Sequence, residues 1–270
     1  TVRDGYSEVA ILSSNYSAEY GRAGGAVVNV VTRSGTNDFH GSAYDIIQNS
    51  AFNSLTPGQR ERGLTDVPQF TENTFGGSLG GPLYLPRFGE GGPVTFGGKN
   101  KLFFFATFQA DLFRNNSEAT AVVPTAAGFN TLQTLFPTGT SANLDYYLGI
   151  VGANRGVTNT FNVPIRNPVT GALISNVEFG TVSAVAPQPV NTYDWIGRVD
   201  YIPSERDSFS IRYLATKQTF SNQFPTVFEG FEVDVPSLNQ NLYTSYTRNF
   251  SPNFTNEFRF GYGFVDVSFT

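Results

Sequence analysis

Cysteine and methionine are absent from this 270-residue chain, and histidine occurs once, at His40. Without cysteine there is no disulfide, no thiolate metal site and no cysteine nucleophile. A single histidine cannot build a zinc cluster that needs several. The missing methionine, and a start at Thr1 with no basic stretch followed by an apolar run, lead us to expect an internal or processed segment of a longer chain. Positive charge is scarce as well: 17 Lys and Arg stand against 22 Asp and Glu, giving a net charge of −5 and a pI near 4.9. A nucleic-acid partner, which needs clustered Lys and Arg, is not expected. Nor does any apolar run approach the roughly 18 residues of a membrane-spanning helix; the longest is Leu102–Phe108, interrupted by Thr107. That test leaves β-barrels untouched, because their strands need only about 9–11 alternating residues.

What the chain has in quantity is Phe (26), Tyr (13) and Gly (28), which favour strands and turns. Period-2 alternation dominates after residue 38. Phe258, Phe260, Tyr262 and Phe264 alternate with Glu257, Arg259, Gly261 and Gly263. Phe209, Ile211 and Tyr213 alternate with Ser210 and Arg212, and Tyr193, Trp195 and Val199 with Asp194, Arg198 and Asp200. Each such strand has one greasy face and one mostly wet face. Seven strands are expected, at 39–49, 72–84, 101–112, 191–202, 208–219, 239–250 and 255–267. The second is the weakest, since Gly and Pro inside 75–82 weaken a ladder.

Connection lengths alternate too. Ile202–Asp207 and Asn249–Phe254 are tight, and 85–100 is a longer Gly- and Pro-rich turn. Between them lie long polar segments at 50–71, 113–190 and 221–238, the middle one with little periodicity. In an up-and-down meander alternate connections share one end, so the long ones emerge together. Both a soluble β-sandwich and a membrane barrel fit the alternation. Charges in strand centres (Arg198, Asp200, Arg212, Arg259), strand lengths of ten or more and aromatics near strand ends lean toward the barrel.

Catalytic and metal-binding patterns do not assemble. The glycines at 97–98 before Lys99 lack a following Ser or Thr, and Pro93 occupies the first glycine position of a phosphate loop. His40 has no G-x-S-x-G nucleophile elbow to serve, and beside Gly41 and Ser42 it reads as a polar-face residue. Glu229, Glu232 and Asp234 cluster in a long loop without the spacing of a calcium loop, which favours solvated acids. No catalytic residue, metal or cofactor is expected, and an enzyme is the least favoured reading.

The N-terminal stretch carries a more specific pattern. Glu8–Val9, Tyr20-Gly-Arg-Ala-Gly-Gly25 and Val27-Val-Asn-Val-Val-Thr32 resemble the end of the plug domain of TonB-dependent outer-membrane receptors. The wording YSAEYGRAGGAVVNVVTRSGTNDFHGSAY is similar to the Oar-like subgroup, whose members carry an N-terminal carboxypeptidase-regulatory-like domain. NTFGGSLGGPL, GGKNKLFFFATFQ and DWIGRVDYIPSERDSFSIRY fit that subgroup as well. One departure is Leu12-Ser-Ser-Asn15, where many receptors have Arg-Gly-Pro, so that arginine's plug–barrel contact passes to no residue here.

The resemblance implies an all-β chain: residues 1–36 as the C-terminal end of a plug, and 37–270 as the first seven strands of a transmembrane antiparallel barrel. A complete barrel of this kind has about 22 strands. Gly24, Gly25, Asn29 and Thr32 are carried over as plug-motif residues, each also explicable as part of a tight turn feeding a buried strand. Ala26–Thr32 is expected to be buried on both faces, with Arg33–Asp38 as the passage to the first wall strand. The implied function is active import of an extracellular ligand (glycan, peptide or siderophore) across the outer membrane of a Gram-negative bacterium. The implied partners are outer-membrane lipid and the TonB energy-coupling complex, engaged through a segment upstream of Thr1. Ligand-contacting residues stay unassigned. The alternative is a non-transporting adhesin or carbohydrate-binding β-domain using the 113–190 segment.

Overall fold

The computed structural model describes residues 2–12, 26–57, 69–86, 95–152, 156–228 and 230–270. In chain order the strands are β1 (Tyr6–Leu12), β2 (Val27–Thr32), β3 (His40–Asn49), β4 (Phe70–Pro82), β5 (Tyr84–Pro86), β6 (Thr95–Gly97) and β7 (Leu102–Pro124). Two helices follow, α1 (Ala126–Leu135) and α2 (Ala142–Val151). The remaining strands are β8 (Thr158–Arg166), β9 (Leu173–Pro187), β10 (Val190–Ser204), β11 (Asp207–Phe220), β12 (Val235–Ser251) and β13 (Phe254–Val267).

The chain forms two compact units. The first comprises residues 1–113, 190–219 and 236–268. Its main sheet runs β13-β12-β11-β10-β7-β4-β3, so each long strand lies beside its neighbour in the meander. The seven strands read from alternation are all present, with ends shifted by a few residues at most apart from β7 and the start of β12. The glycine-rich β4 forms in full, pairing with β3 from Asn49↔Thr71 to His40↔Gly80. Its glycines allow close approach rather than breaking the ladder. A Cβ on Gly76 would lie 2.8 Å from the Tyr44 hydroxyl and still nearer the Phe108 carbonyl. The 85–100 connection carries the small β5–β6 hairpin.

Residues directly opposite in an antiparallel pair share a face. The β10–β7 register therefore puts Asp194, Arg198 and Asp200 on one face with Gln109 and Phe105, and Trp195 and Val199 on the other with Phe108 and Phe104. Burial runs opposite to that of a soluble sheet. Gln109 and Asp194 are 3% and 7% exposed, whereas Trp195, Ile211 and Tyr213 are 38–52% exposed. On β13 the four alternating aromatics from Phe258 to Phe264 are 42–61% exposed instead of packed in a core. The β-sandwich alternative needs those faces reversed.

The apolar face is knit by aromatic contacts. Phe75, Phe108, Trp195 and Tyr193 follow one another at centroid distances of 5.7–6.4 Å. Nearer the short turns Phe96, Tyr201, Phe209 and Tyr246 do the same at 4.3–6.2 Å. Apart from Tyr193 and Trp195, which are both on β10, successive rings come from different strands, so they bind the meander sideways as cross-strand pairs.

The second unit gives structure to a segment that the sequence showed only as a long polar connection with little periodicity, 113–190. Together with 220–235 and 269–270, most of its residues form a folded unit, 114–189. β7 continues to Pro124, and its far half pairs with β9 from Asn116↔Pro187 to Pro124↔Phe179; β9 in turn pairs with β8. Thr125 and Ser141 cap α1 and α2 by accepting from the Gly128 and Leu144 backbone N–H groups. Val123, Leu132, Leu148, Val151, Val177 and Val182 form its core. Polar composition hid this core, because its apolar residues are spread over four elements. Of the other long segments, 221–228 and 230–234 carry no helix, and they are tied together through Gln223 N–H to Val233 O and Asn222 N–H to Asp234. Within 50–71, residues 58–68 lie outside the described residues; the others include a short turn at Ser50–Phe52 and the start of β4.

This core gives a direct test. Leu132→Ala should destabilise the second unit by about 2–5 kcal/mol. In hydrogen exchange, amides of α1, α2 and β9 should lose protection while those of β10–β12 keep theirs; loss of protection across all of them would contradict two separate units.

Candidate functional site

The polar face of the main sheet is where the chain gathers its buried hydrogen-bonding groups. β1 and β2 do not join that sheet. Among the described residues they pair only with each other, from Tyr6↔Thr32 to Leu12↔Val27. Residues of this small sheet and its flanks reach the polar groups of the wall strands, and the contacts concentrate at three places.

The first is Thr32, which is 2% exposed. Arg198 Nη1 donates to its carbonyl oxygen at 2.8 Å and to its hydroxyl at 3.3 Å. Arg212 Nη1 donates to the same hydroxyl at 3.3 Å. Arg198 is held by Asp200 at 2.9–3.0 Å, and Asp200 also accepts from the Ser34 hydroxyl at 2.7 Å. Two guanidiniums from adjacent wall strands thus converge on the last residue of β2. A threonine there supplies two acceptors, where a valine would supply only its carbonyl. Arg212 also lies over the Tyr243 ring at 4.8 Å.

The second place is Gln109. Its Oε1 accepts from the Arg3 backbone N–H at 2.9 Å and from the Tyr44 hydroxyl at 2.8 Å. Its Nε2 donates to Asp111, which also accepts from the Thr74 hydroxyl at 2.7 Å. The Ser42 hydroxyl donates to Asp4, and Thr216 to Asp194. Burial and the Asp194 carboxylate push the Tyr6 phenol above its ordinary value, with Arg212 pulling the other way, so Tyr6 stays neutral near pH 7.

The third is the passage 33–38. Arg33 N–H donates to Gly5 O at 3.0 Å, and Asn37 and Asn100 exchange hydrogen bonds at 2.6 and 2.7 Å. Gly35 lies against the backbones of β7 and β4. A Cβ there would sit 2.8 Å from Gly81 O, 2.9 Å from Phe104 N and nearer still to Phe104 O, and backbone cannot yield as a side chain can. The chain therefore leaves β2 beside β10, crosses β7 and β4 at close range, and enters the sheet as β3.

A cavity of about 570 Å³ opens between β2 and the far strands, lined by Asn29, Val31, Arg198, Arg212, Tyr243 and Arg259 among others. Arg259 pairs with Glu257 at 2.7 Å. Such a lining suits a polar group that offers acceptors to Arg212, whose Nε is buried without a partner.

The residues named from the sequence fall as follows. Thr32 is the gripped residue, and Asn29 lines the cavity. Gly24 and Gly25 lie outside the described residues. β2 is not buried on both faces as expected: Val28 and Val31 are exposed, as are Val9 and Ile11 on β1. The two strands cover only each other's edges, and nothing among the described residues covers the apolar surface they share. His40 is exposed, with Nδ1 3.2 Å from the Thr36 hydroxyl and 3.1 Å from Asp38 O. Among the described residues no group of three or more His, Cys, Asp or Glu could hold a metal. The sequence marked Arg198, Asp200 and Arg212 as polar-face charges, but their meeting with Thr32 spans 166 to 180 positions and has no local signal.

Two comparisons bear on this geometry. A family model described as an outer membrane beta barrel domain matches residues 31–269. The TonB-dependent transporter Oar of Myxococcus xanthus is 34% identical over 110 residues, which is 40% of this chain and 9% of that protein. This match thus spans less than a tenth of the relative's length. No solved structure matches the chain. The family match covers the meander from β3 to β13, whose exposed aromatic face and buried polar face are those of a wall between lipid and a polar interior. The chain belongs to the outer-membrane β-barrel domain family, and its place is the outer membrane of a Gram-negative bacterium.

Proposed function

We propose that the chain is part of an Oar-like, TonB-dependent receptor that binds an extracellular ligand and imports it actively. In this reading residues 1–36 are the C-terminal end of the plug, with Gly24, Gly25, Asn29 and Thr32 as its motif, and residues 37–270 begin the barrel wall. The observation that carries it is the grip of Arg198 and Arg212 on Thr32. A strand pair outside the main sheet, hydrogen-bonded to the wall's buried polar face and followed directly by the first wall strand, is what a plug-to-barrel junction requires. The uncovered apolar surface of β1 and β2 fits the same reading, since the rest of a plug would cover it. The relative's printed name, a TonB-dependent transporter, agrees with the direction of the argument.

The chemistry of such a protein is mechanical rather than covalent. Lipid-facing aromatics and satisfied backbone ladders hold the wall. The polar contacts to Thr32, Gln109 and Asp4 hold the plug segment by several modest bonds that can be exchanged for water one at a time, so force applied from the periplasm by the energy-coupling partner can shift it. Glycans, peptides and siderophores are the ligand classes to try, with no cofactor.

Uptake by the full-length protein decides the matter. Cells carrying it should accumulate one of these ligand classes only when the energy-coupling complex is intact. Surface binding without energy-dependent uptake would favour the adhesin alternative.

Two further outcomes follow from the wall and its junction. Thr32→Val keeps the shape but strips the acceptor from Arg212, and should loosen the β1–β2 sheet by about 1–3 kcal/mol. Amide exchange in 6–12 and 27–32 should quicken about tenfold or more while β10 and β11 stay protected. Trp195→Arg, on the apolar face, should lower the stability of the full-length barrel refolded into phospholipid by about 2–4 kcal/mol if the residue lies near the midplane. A change within experimental error would count against lipid on that face.

A further inference from the structure

The second unit contains a cavity of about 470 Å³ between the end of β9 and the 221–234 segment. The geometry points to a binding site for a primary ammonium or guanidinium carried on an aliphatic stem, such as a lysine or arginine side chain.

Three acceptors line this cavity. Asn222 is 8% exposed, and its Oδ1 is buried with no hydrogen-bond partner. Its other groups are committed: its N–H donates to Asp234 Oδ1 at 3.0 Å and its Nδ2 to Pro187 O at 3.2 Å. The backbone is thus anchored on Asp234 and the side-chain amide is oriented by Pro187 O, with its own carbonyl left over. A buried acceptor without a donor is costly, and a ligand that brings one removes the cost.

Beside it stand Glu232 and Asp234. Glu232 Oε2 accepts from Gly230 N–H at 2.8 Å, which leaves Oε1, and Asp234 keeps Oδ2 after accepting from Asn222. Among the described residues neither carboxylate has an ion-pair partner, and no Lys or Arg lines the cavity. A water could satisfy the Asn222 carbonyl, but it would not balance two carboxylates. The rest of the wall is largely aliphatic, with Val185, Pro187, Pro189 and Val227. Donors and positive charge at one end and a CH₂ stem behind them complement both halves of this lining. Glu232 and Asp234, which in sequence read as solvated loop acids, are brought together by the fold beside a buried carbonyl that lacks a donor.

The site does not depend on import. Binding is measured on the purified full-length chain in detergent without the energy-coupling partner, so its failure and the failure of the transport reading are separate results. The probes are Nα-acetyl-lysine methylamide and the peptide Ala-Lys-Ala, each against its Nε-acetylated form, by isothermal titration at low salt. We expect the charged forms to bind at least tenfold more tightly than the acetylated ones. Glu232→Gln, which can still accept from Gly230, should weaken binding roughly tenfold. If the single amide binds as well as the peptide, the site takes free amines; if the peptide alone binds tightly, it reads a side chain in a peptide. Equal affinity for charged and acetylated probes in the unmodified chain overturns the proposal, as does unchanged affinity in Glu232→Gln.

Discussion

The structure rests on an inverted distribution of polarity across one sheet. Gln109, Asp194 and Asp200 are buried, while Trp195, Ile211 and the β13 aromatics are open to the surroundings. In water this arrangement would be unfavourable on both faces: large apolar area exposed, and buried polar groups to be satisfied one by one. In a membrane the first term changes sign, because hydrocarbon receives the aromatic face. The second term remains. It explains why the N-terminal segment is bound to the wall where it is, since Thr32, Arg3, Asp4 and Ser34 supply partners to Arg198, Gln109, Ser42 and Asp200. Removing that segment would take from Arg212 its hydrogen bond to Thr32 and from Arg198, Asp200 and Gln109 one or more of theirs, so its attachment is part of the sheet's own stability.

The same constraint sorts what could be read from the sequence. Strand existence was legible because each wall strand meets two different media, and a period of two follows directly. β11 and β13 were plain for this reason, and even β4 was found despite its glycines. The second unit obeys the opposite rule. Its core is assembled from Val123 on β7, Leu132 and Leu148 on two short helices, and Val177 and Val182 on β9, each element giving one or two residues. No single stretch shows a sustained stripe, and polar connections dominate the composition. Caps at Thr125 and Ser141 were local signals that could have flagged the helices.

The candidate site divides likewise. Thr32 was marked by its motif, and Arg198 and Arg212 by being charges in strand centres, where a solvated face is the ordinary explanation. Pairing between them depends on where the chain crosses the sheet after β2. That crossing is fixed by Gly35, the one residue of the passage that must lack a side chain to lie on the β7 and β4 backbones. Sequence alone shows a Gly in a turn-like run; only the register of the strands beneath shows what it must avoid.

Edges supply the last constraint. β3 and β13 terminate the sheet path, and each presents a row of backbone groups that the described strands leave unpaired. In hydrocarbon every such group has to be paired, so each of these edges needs a neighbouring strand before the wall can stand in a bilayer. The second unit does not depend on those edges: its core is built from its own strands and helices. Its stability can thus be set independently of barrel closure, as a unit with a core of its own. Substitutions in that core can therefore be tolerated or rejected without touching the wall or the polar grip on Thr32.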